Sequence, residues 1–187
     1  LTNCMPLKII GIAGSLRKDS FNKKLLATVA ALCPSDAIIE TLDFSEVPVF
    51  NQDLEANMPP VVVEIKKKIK EADAILFVTP EYNYSIPGPL KNLIDWVSRP
   101  YGDSSWQGKP VAIMGASPGR LGTVRAQVAL RQCFVFLDMH QVNTPEVLIG
   151  AAHEKFDAEG KFTDEEGKKL IIKLLEELIA LTKKLKV

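Results

Sequence analysis

Apolar runs alternate along this chain with stretches of helical periodicity, and the alternation is regular. Lys8-Ile9-Ile10-Gly11-Ile12-Ala13 is almost wholly apolar, as expected of a strand covered on both faces in a parallel sheet. A helix follows: Ser20 can cap it, Leu25, Leu26, Val29, Ala30 and Leu32 supply an inward stripe, and it ends near Pro34. Residues 38–43 alternate more and read as a strand nearer the sheet edge. After a loop over residues 44–60, Val61, Ile65 and Ile69 share a helical face, and Lys66, Lys67, Lys68 and Lys70 read as its solvated side. A third strand, 74–78, is apolar throughout and runs into a loop dense in proline and aromatic residues. A helix resumes at about Pro89 with Leu90, Leu93, Ile94 and Val97 on its apolar side. Residues 111–115 form a fourth strand, with a helix from about Thr123 to Met139 behind it. Residues 141–142 and 146–149 can supply a short last strand. Thr163 with Glu166 is a capping-box pattern, opening a final helix with Leu170, Leu174, Leu178 and Leu181 at helical spacing.

Five strands alternating with five helices predict an α/β fold, a three-layer doubly wound sandwich on a five-stranded parallel sheet. At 187 residues the expectation is one domain over residues 1–187. In such sheets a ligand sits beyond the carboxyl ends of the strands at the switch point, where the loops after strands one, three and four converge.

Charge narrows the partners. Lys+Arg and Asp+Glu are both 23, which gives no pull toward nucleic acid or an anionic membrane. No apolar run approaches the roughly 20 residues of a membrane span, and residues 1–6 lack the build of a secretion signal, so a cytoplasmic protein with a small-molecule partner is expected. Cys4, Cys33 and Cys133 have neither the spacing nor the even number of a disulfide framework or zinc site. They read as buried or inert thiols, and no metal is expected.

Three motifs can be tested against those loops. A dinucleotide fingerprint after strand one fails, because Gly11 and Gly14 are followed by Leu16 and Arg17, although Asp43 at the end of strand two could mimic the acidic ribose ligand. A Walker A loop fails for want of Gly-Lys-Ser/Thr. Gly115-Ala116-Ser117-Pro118-Gly119 matches a hydrolase elbow, with His140 and His153 downstream, but Pro118 has no N–H to serve the oxyanion. A flavin reading uses all three loops. Ser15, Arg17, Ser20 and Asn22, at a strand-to-helix turn, suit a phosphate monoester. The loop from Pro80 through Glu81, Tyr82 and Asn83 to Tyr84 can line one edge of the ring with backbone groups. Ser117, Gly119 and Gly122 can form a third wall.

The motifs Gly14-Ser15-Leu16-Arg17-x-x-Ser20-x-Asn22, Pro80-Glu81-Tyr82-Asn83-x-Ser85-x-Pro87-Gly88-x-Leu90-Lys91-Asn92-x-Ile94-Asp95-Trp96 and Ser117-Pro118-Gly119 resemble the NADPH-dependent FMN reductase family, in particular its quinone and chromate reductase branch. The resemblance implies a flavodoxin-like fold with strand order 2-1-3-4-5 and tightly bound FMN. It implies NADPH or NADH as hydride donor and homodimers or homotetramers. Phosphate contacts then fall on Ser15, Arg17, Ser20 and Asn22, and ring contacts on Pro80, Glu81, Tyr82, Asn83 and Ser117, with Gly119 also matching. Arg125, Tyr84 and Glu146 would be counterparts of a network between subunits. The implied reaction is ping-pong, from the nicotinamide to flavin N5 and on to a quinone, with chromate, azo or nitro compounds as further acceptors and no catalytic side chain required. The alternative is a flavodoxin-like carrier of single electrons, for which zero net charge is an unfavourable sign.

Overall fold

The computed structural model describes residues 5–186; Cys4 lies outside them. Six strands, β1 (Leu7–Ala13), β2 (Ala37–Thr41), β3 (Ala74–Val78), β4 (Pro110–Ala116), β5 (His140–Gln141) and β6 (Val147–Ile149), alternate with five helices, α1 (Phe21–Ala31), α2 (Pro60–Glu71), α3 (Gly88–Val97), α4 (Val124–Phe136) and α5 (Glu165–Leu185). Every pairing is parallel, in the order β2-β1-β3-β4, and the fifth place is shared by two pieces that both pair with β4. β5 lies beside Pro110 and Val111, and β6 lies beside Met114, Gly115 and Ala116. The expected order 2-1-3-4-5 is therefore present, with its last strand broken in two. Pro145 falls in the break and has no N–H to give the ladder. Arg131 pins the interruption by donating to Val142 O at 3.1 Å and Gln141 Oε1 at 3.2 Å.

Burial on both faces explains why the strands read as unbroken apolar runs. Leu76 and Val78 pack with α1 and α5, while Ile75 and Phe77, one residue out of step, pack with α2, α3 and α4. β2, at the edge, alone keeps exposed positions within its length among the longer strands, as its alternation implied.

Details of three helices differ from the sequence expectation. In α1, Ala30 is exposed and Leu32 half-buried, so Leu25, Leu26 and Val29 carry the stripe. In α2, Val62 takes the buried place expected of Val61, and Lys66 is buried among the polar side's lysines. Its ammonium donates to the carbonyls of Val97 at 3.3 Å, Arg99, and Asp103 at 2.7 Å. Burial pushes its pKa down while Asp103 opposes the change. In α5 the cap is Asp164, whose Oδ1 accepts Gly167 N–H at 3.1 Å, and not Thr163. Gly167 lies on Phe162, where a Cβ would come within 2.7 Å of the ring. That seat turns the buried face onto Gly167, Ile171, Leu174, Leu175 and Leu178 and leaves Leu170 exposed.

Candidate active site

The first loop is built around two buried hydroxyls. Ser15 is 3% exposed and Ser20 4%. Ser15 Oγ accepts Arg17 N–H at 3.3 Å, and Ser20 Oγ caps α1 by accepting Asn22 N–H at 3.2 Å. The remaining N–H groups of the first turn have no acceptor within the helix, and they lie at its positive end. Arg17 and Lys18 are exposed. Asp19 pairs with Lys24 at 2.7 Å, and that hydrogen bond holds its carboxyl below the usual range, so the acid in the loop is neutralised by a neighbour. Asn22 has a task that its place in the motif did not reveal. Its Nδ2 donates to Ala116 O at 2.9 Å and its Oδ1 accepts Ala116 N–H at 2.8 Å, which ties the start of α1 to the end of β4.

The second loop is a tight hairpin. Tyr82 N–H donates to Ser85 O at 3.2 Å and Ser85 N–H to Tyr82 O at 3.0 Å, with Asn83 and Tyr84 at φ 49° and 64° between them. Two consecutive left-handed residues are the requirement of this turn type, and an aromatic residue in that conformation is uncommon. The turn leaves Tyr84 72% exposed and Tyr82 45%. Glu81 turns the other way. Its Oε2 accepts the N–H groups of Arg125 at 2.8 Å and Ala126 at 3.1 Å, and its Oε1 meets Arg125 Nη1 at 3.3 Å. The carboxylate thus caps α4 and faces a cation and a helix dipole. The Arg125 guanidinium also stacks over the Tyr84 ring at 3.8 Å. Within one chain Arg125 meets both Tyr84 and Glu81, and Glu146 is exposed ahead of β6.

The third loop leaves β4. Ser117 N–H donates to Ile149 O at 2.9 Å, Ser117 O accepts Ala152 N–H at 3.0 Å, and Ser117 Oγ accepts Gly119 N–H at 3.1 Å. His140 pairs with Pro110 at the far end of β4, roughly 20 Å away at about 3.3 Å per residue, so it gives Ser117 no base. Gly119 is exposed with room around its Cβ position. Gly122 does not join a wall beside it: at φ 61° it packs on the backbone of Leu148. Gly115 is the tightest point, since a Cβ there would stand 2.1 Å from Thr123 Oγ1 and 2.2 Å from Thr79 O. Gly150 likewise lets the third loop lie against β6, where a Cβ would be 2.2 Å from Arg120 O.

The three loops meet in one narrow cleft of about 60 Å³, lined by Ser15, Arg17, Ser20, Asn22, Pro80, Glu81, Tyr82 and Ser117 among others. Asn83 and Gly119, on the same loops, stand outside that lining. A much larger groove, about 550 Å³, runs between α3 and α4 and past Tyr101, but the buried hydroxyls and helix N-terminus converge on the small one. Sequence reasoning missed the residues that hold the loops in place. Asn92 accepts Phe50 N–H at 2.7 Å and donates to Pro48 O at 2.8 Å, and Trp96 Nε1 donates to the same carbonyl at 2.8 Å. These two members of the long motif anchor the loop after β2; the available signal was their spacing of four on one helix face.

Residues 7–154 match the family model described as NADPH-dependent FMN reductase. An NAD(P)H-dependent FMN reductase of Pseudomonas aeruginosa is 49% identical over 173 residues, covering 92% of this chain and 93% of the relative. An NAD(P)H:quinone oxidoreductase of Solanum tuberosum is 48% identical, covering 96% and 95%. Among solved structures, the flavoenzyme NAD(P)H:acceptor oxidoreductase FerB of Paracoccus denitrificans superposes with a TM-score of 0.85 at 36% identity, covering 95% of this chain and 98% of that one. With a match that runs from β1 past β6 and takes in all three loops of the cleft, the chain belongs to the NADPH-dependent FMN reductase family.

Proposed function

We propose that the protein is an FMN-dependent NAD(P)H oxidoreductase that reduces quinones by two electrons, with chromate, azo and nitro compounds as further acceptors. The observation that carries this reading is the convergence of three chemically distinct loops on one cleft with two buried hydroxyls at its floor. Relatives described as quinone reductases, including a 2-hydroxy-1,4-benzoquinone reductase of a Burkholderia species at 43% identity, support the choice of acceptor.

The donor set fits a flavin mononucleotide. Ser15, Ser20 and the first-turn N–H groups offer neutral hydrogen bonds to a phosphate, and Arg17 adds a charge-assisted one. Asn22 holds that floor to β4 through Ala116 and has one further amide hydrogen to give. Pro80, Glu81, Tyr82, Asn83, Ser117 and Gly119 would border the ring, the first four mainly through backbone groups. The flavin, when bound, supplies the redox chemistry. The chain orients it, and keeps the Glu81 charge occupied by Arg125 and the start of α4 so that it does not oppose negative charge on the reduced ring.

The cleft has room for a phosphate but not for a ring, so the ring would lie on the exposed hairpin and third loop. A partner subunit would then cover it, in a homodimer or homotetramer. Val128, Val135 and Phe136, exposed on α4 beside the large groove, are an apolar surface suited to that contact. The decisive measurement is the absorbance spectrum of the purified protein followed by anaerobic NADPH and NADH. A yellow protein bleached by either nucleotide and restored by a quinone is expected; a colourless one that takes up no added FMN would end the proposal. Arg17→Ala should weaken FMN binding by about 1–3 kcal/mol without lowering thermal stability, and unchanged affinity would remove Arg17 from the phosphate seat.

A further inference from the structure

A second cleft, of about 420 Å³, opens between α1 and the carboxyl end of β2. That volume lies within the roughly 300–1,000 Å³ of small-molecule sites. Its floor is apolar, made by Ala13, Leu26 and Phe44, all buried, and Leu16, 42% exposed, stands at its side. Its rim is polar. Thr41 ends β2, Asp43 follows two residues on, and Lys23 approaches from α1. Asp43 Oδ1 accepts Ser45 N–H at 2.9 Å, which fixes the carboxylate at the lip. Lys23 Nζ donates to Leu16 O at 3.4 Å, which holds a cation over the phosphate loop.

Two features point to the kind of ligand. An acid just past the second parallel strand, at the carboxyl edge of the sheet, is the group that accepts hydrogen bonds from ribose hydroxyls in dinucleotide sites. Ser15 lines this cleft and the three-loop cleft alike, so the phosphate loop is their common wall, and Arg17 and Lys18 are exposed along it. A nucleoside in the second cleft would carry its 5′-phosphate toward those cations. We propose that this cleft binds an adenosine 5′-phosphate group, the half that nicotinamide dinucleotides and FAD have in common. The flat base lies against Leu16, Leu26 and Phe44, the ribose hydroxyls face Asp43, and the phosphate faces Lys23. The proposal rests on the reductase reading for the reason such a ligand visits the protein, but its binding is independent of that activity.

The test is calorimetric titration of 5′-AMP into the FMN-loaded protein while flavin absorbance is watched. Saturable binding with the flavin retained is expected. Ala27→Phe, which fills the cleft from α1, should weaken AMP at least about tenfold, and Asp43→Ala about tenfold, the loss of one charge-assisted hydrogen bond. Both should leave FMN affinity unchanged. Should Ala27→Phe fail to fold, Asp43→Ala, an exposed position, decides alone. No AMP binding to the unsubstituted protein, equal binding in the variants, or release of FMN by AMP would overturn the proposal. The source of the group is read separately. A KM for NADH raised in Ala27→Phe with kcat kept identifies the nicotinamide dinucleotide. Tighter binding of FAD than FMN to the flavin-free protein, with that margin lost in Ala27→Phe, identifies FAD. Neither effect would overturn it. If the protein takes up no FMN the reductase reading fails, and AMP titration of the colourless protein still decides the cleft.

Discussion

The phosphate loop and the Tyr82–Ser85 hairpin border the same cleft and are built on opposite plans. In the first, Ser15, Ser20 and Asn22 are buried and engaged with backbone: Ser20 caps α1, Ser15 holds Arg17, and Asn22 clasps both polar groups of Ala116. In the second, two residues sit in the left-handed region and two tyrosines face outward. The partly buried Glu81 beside it is anchored at the start of α4. A site that grips a phosphate gains from rigidity, because its donors are then aligned before the ligand arrives. A surface over which a ring and successive substrates pass must stay open, and an outward strained turn leaves it so. The strain at Tyr84 fits the tendency of such residues to cluster where ligands bind.

Substitutions can break this contrast in graded steps. Gly115→Ala should be the most damaging, costing about 3 kcal/mol, the upper range for overpacking, because its Cβ would press on Thr79 O and Thr123 Oγ1 and displace both loops together. Urea unfolding and FMN affinity should therefore fail in parallel. Asn22→Leu comes next, at about 2–3 kcal/mol, since it leaves a buried N–H and C=O of Ala116 without partners. If that variant kept full stability, the first loop would not be the rigid member of the pair.

A remote control comes from α5. Asp164→Ala should cost about 1 kcal/mol of fold stability and move FMN affinity not at all. The hydrogen bond from Lys155, against a smaller opposing effect of burial, and the Gly167 N–H hold the Asp164 carboxyl below its usual range. Because its folded pKa is depressed, its contribution is present above an unfolded value of about 4 and is lost as pH falls through the folded value. The stability gap between the two proteins should thus close on acidification below about pH 4, and a gap that widened there would contradict the assignment. The mildest expected effect is that of Glu81→Gln. The amide oxygen still accepts the α4 N–H groups, so what is lost is the charge and the hydrogen bond from Arg125 Nη1, together worth about 0.5–1 kcal/mol with a half-exposed Arg125. Its signature is salt dependence: the deficit should shrink in high salt, whereas quinone turnover should respond through the changed field at the hairpin.

Much of this was readable along the chain. The layer order, the edge position of β2 and the Ser20 cap follow from local rules, since burial on two faces forces unbroken apolar runs and a helix start needs an acceptor for its free N–H groups. The three loops were readable too, because parallel connection places the ends of β1, β3 and β4 side by side whatever the side chains do. What needed the tertiary structure were partners far apart in sequence. Lys66 looked like a solvated lysine until the carbonyls of Val97, Arg99 and Asp103 closed over it. Asn22 looked like a ligand for phosphate alone until Ala116, 94 residues away, met its amide. Glu81 read only as a backbone contributor to the ring edge until α4 turned its N-terminus toward the carboxylate. Periodicity records which side of an element is wet, and so the sequence by itself determined the architecture and which loops gather around the candidate cleft. It carries no record of which buried polar group satisfies which, and that pairing, which sets the charge and rigidity of the cleft, was decided only when the chain closed on itself.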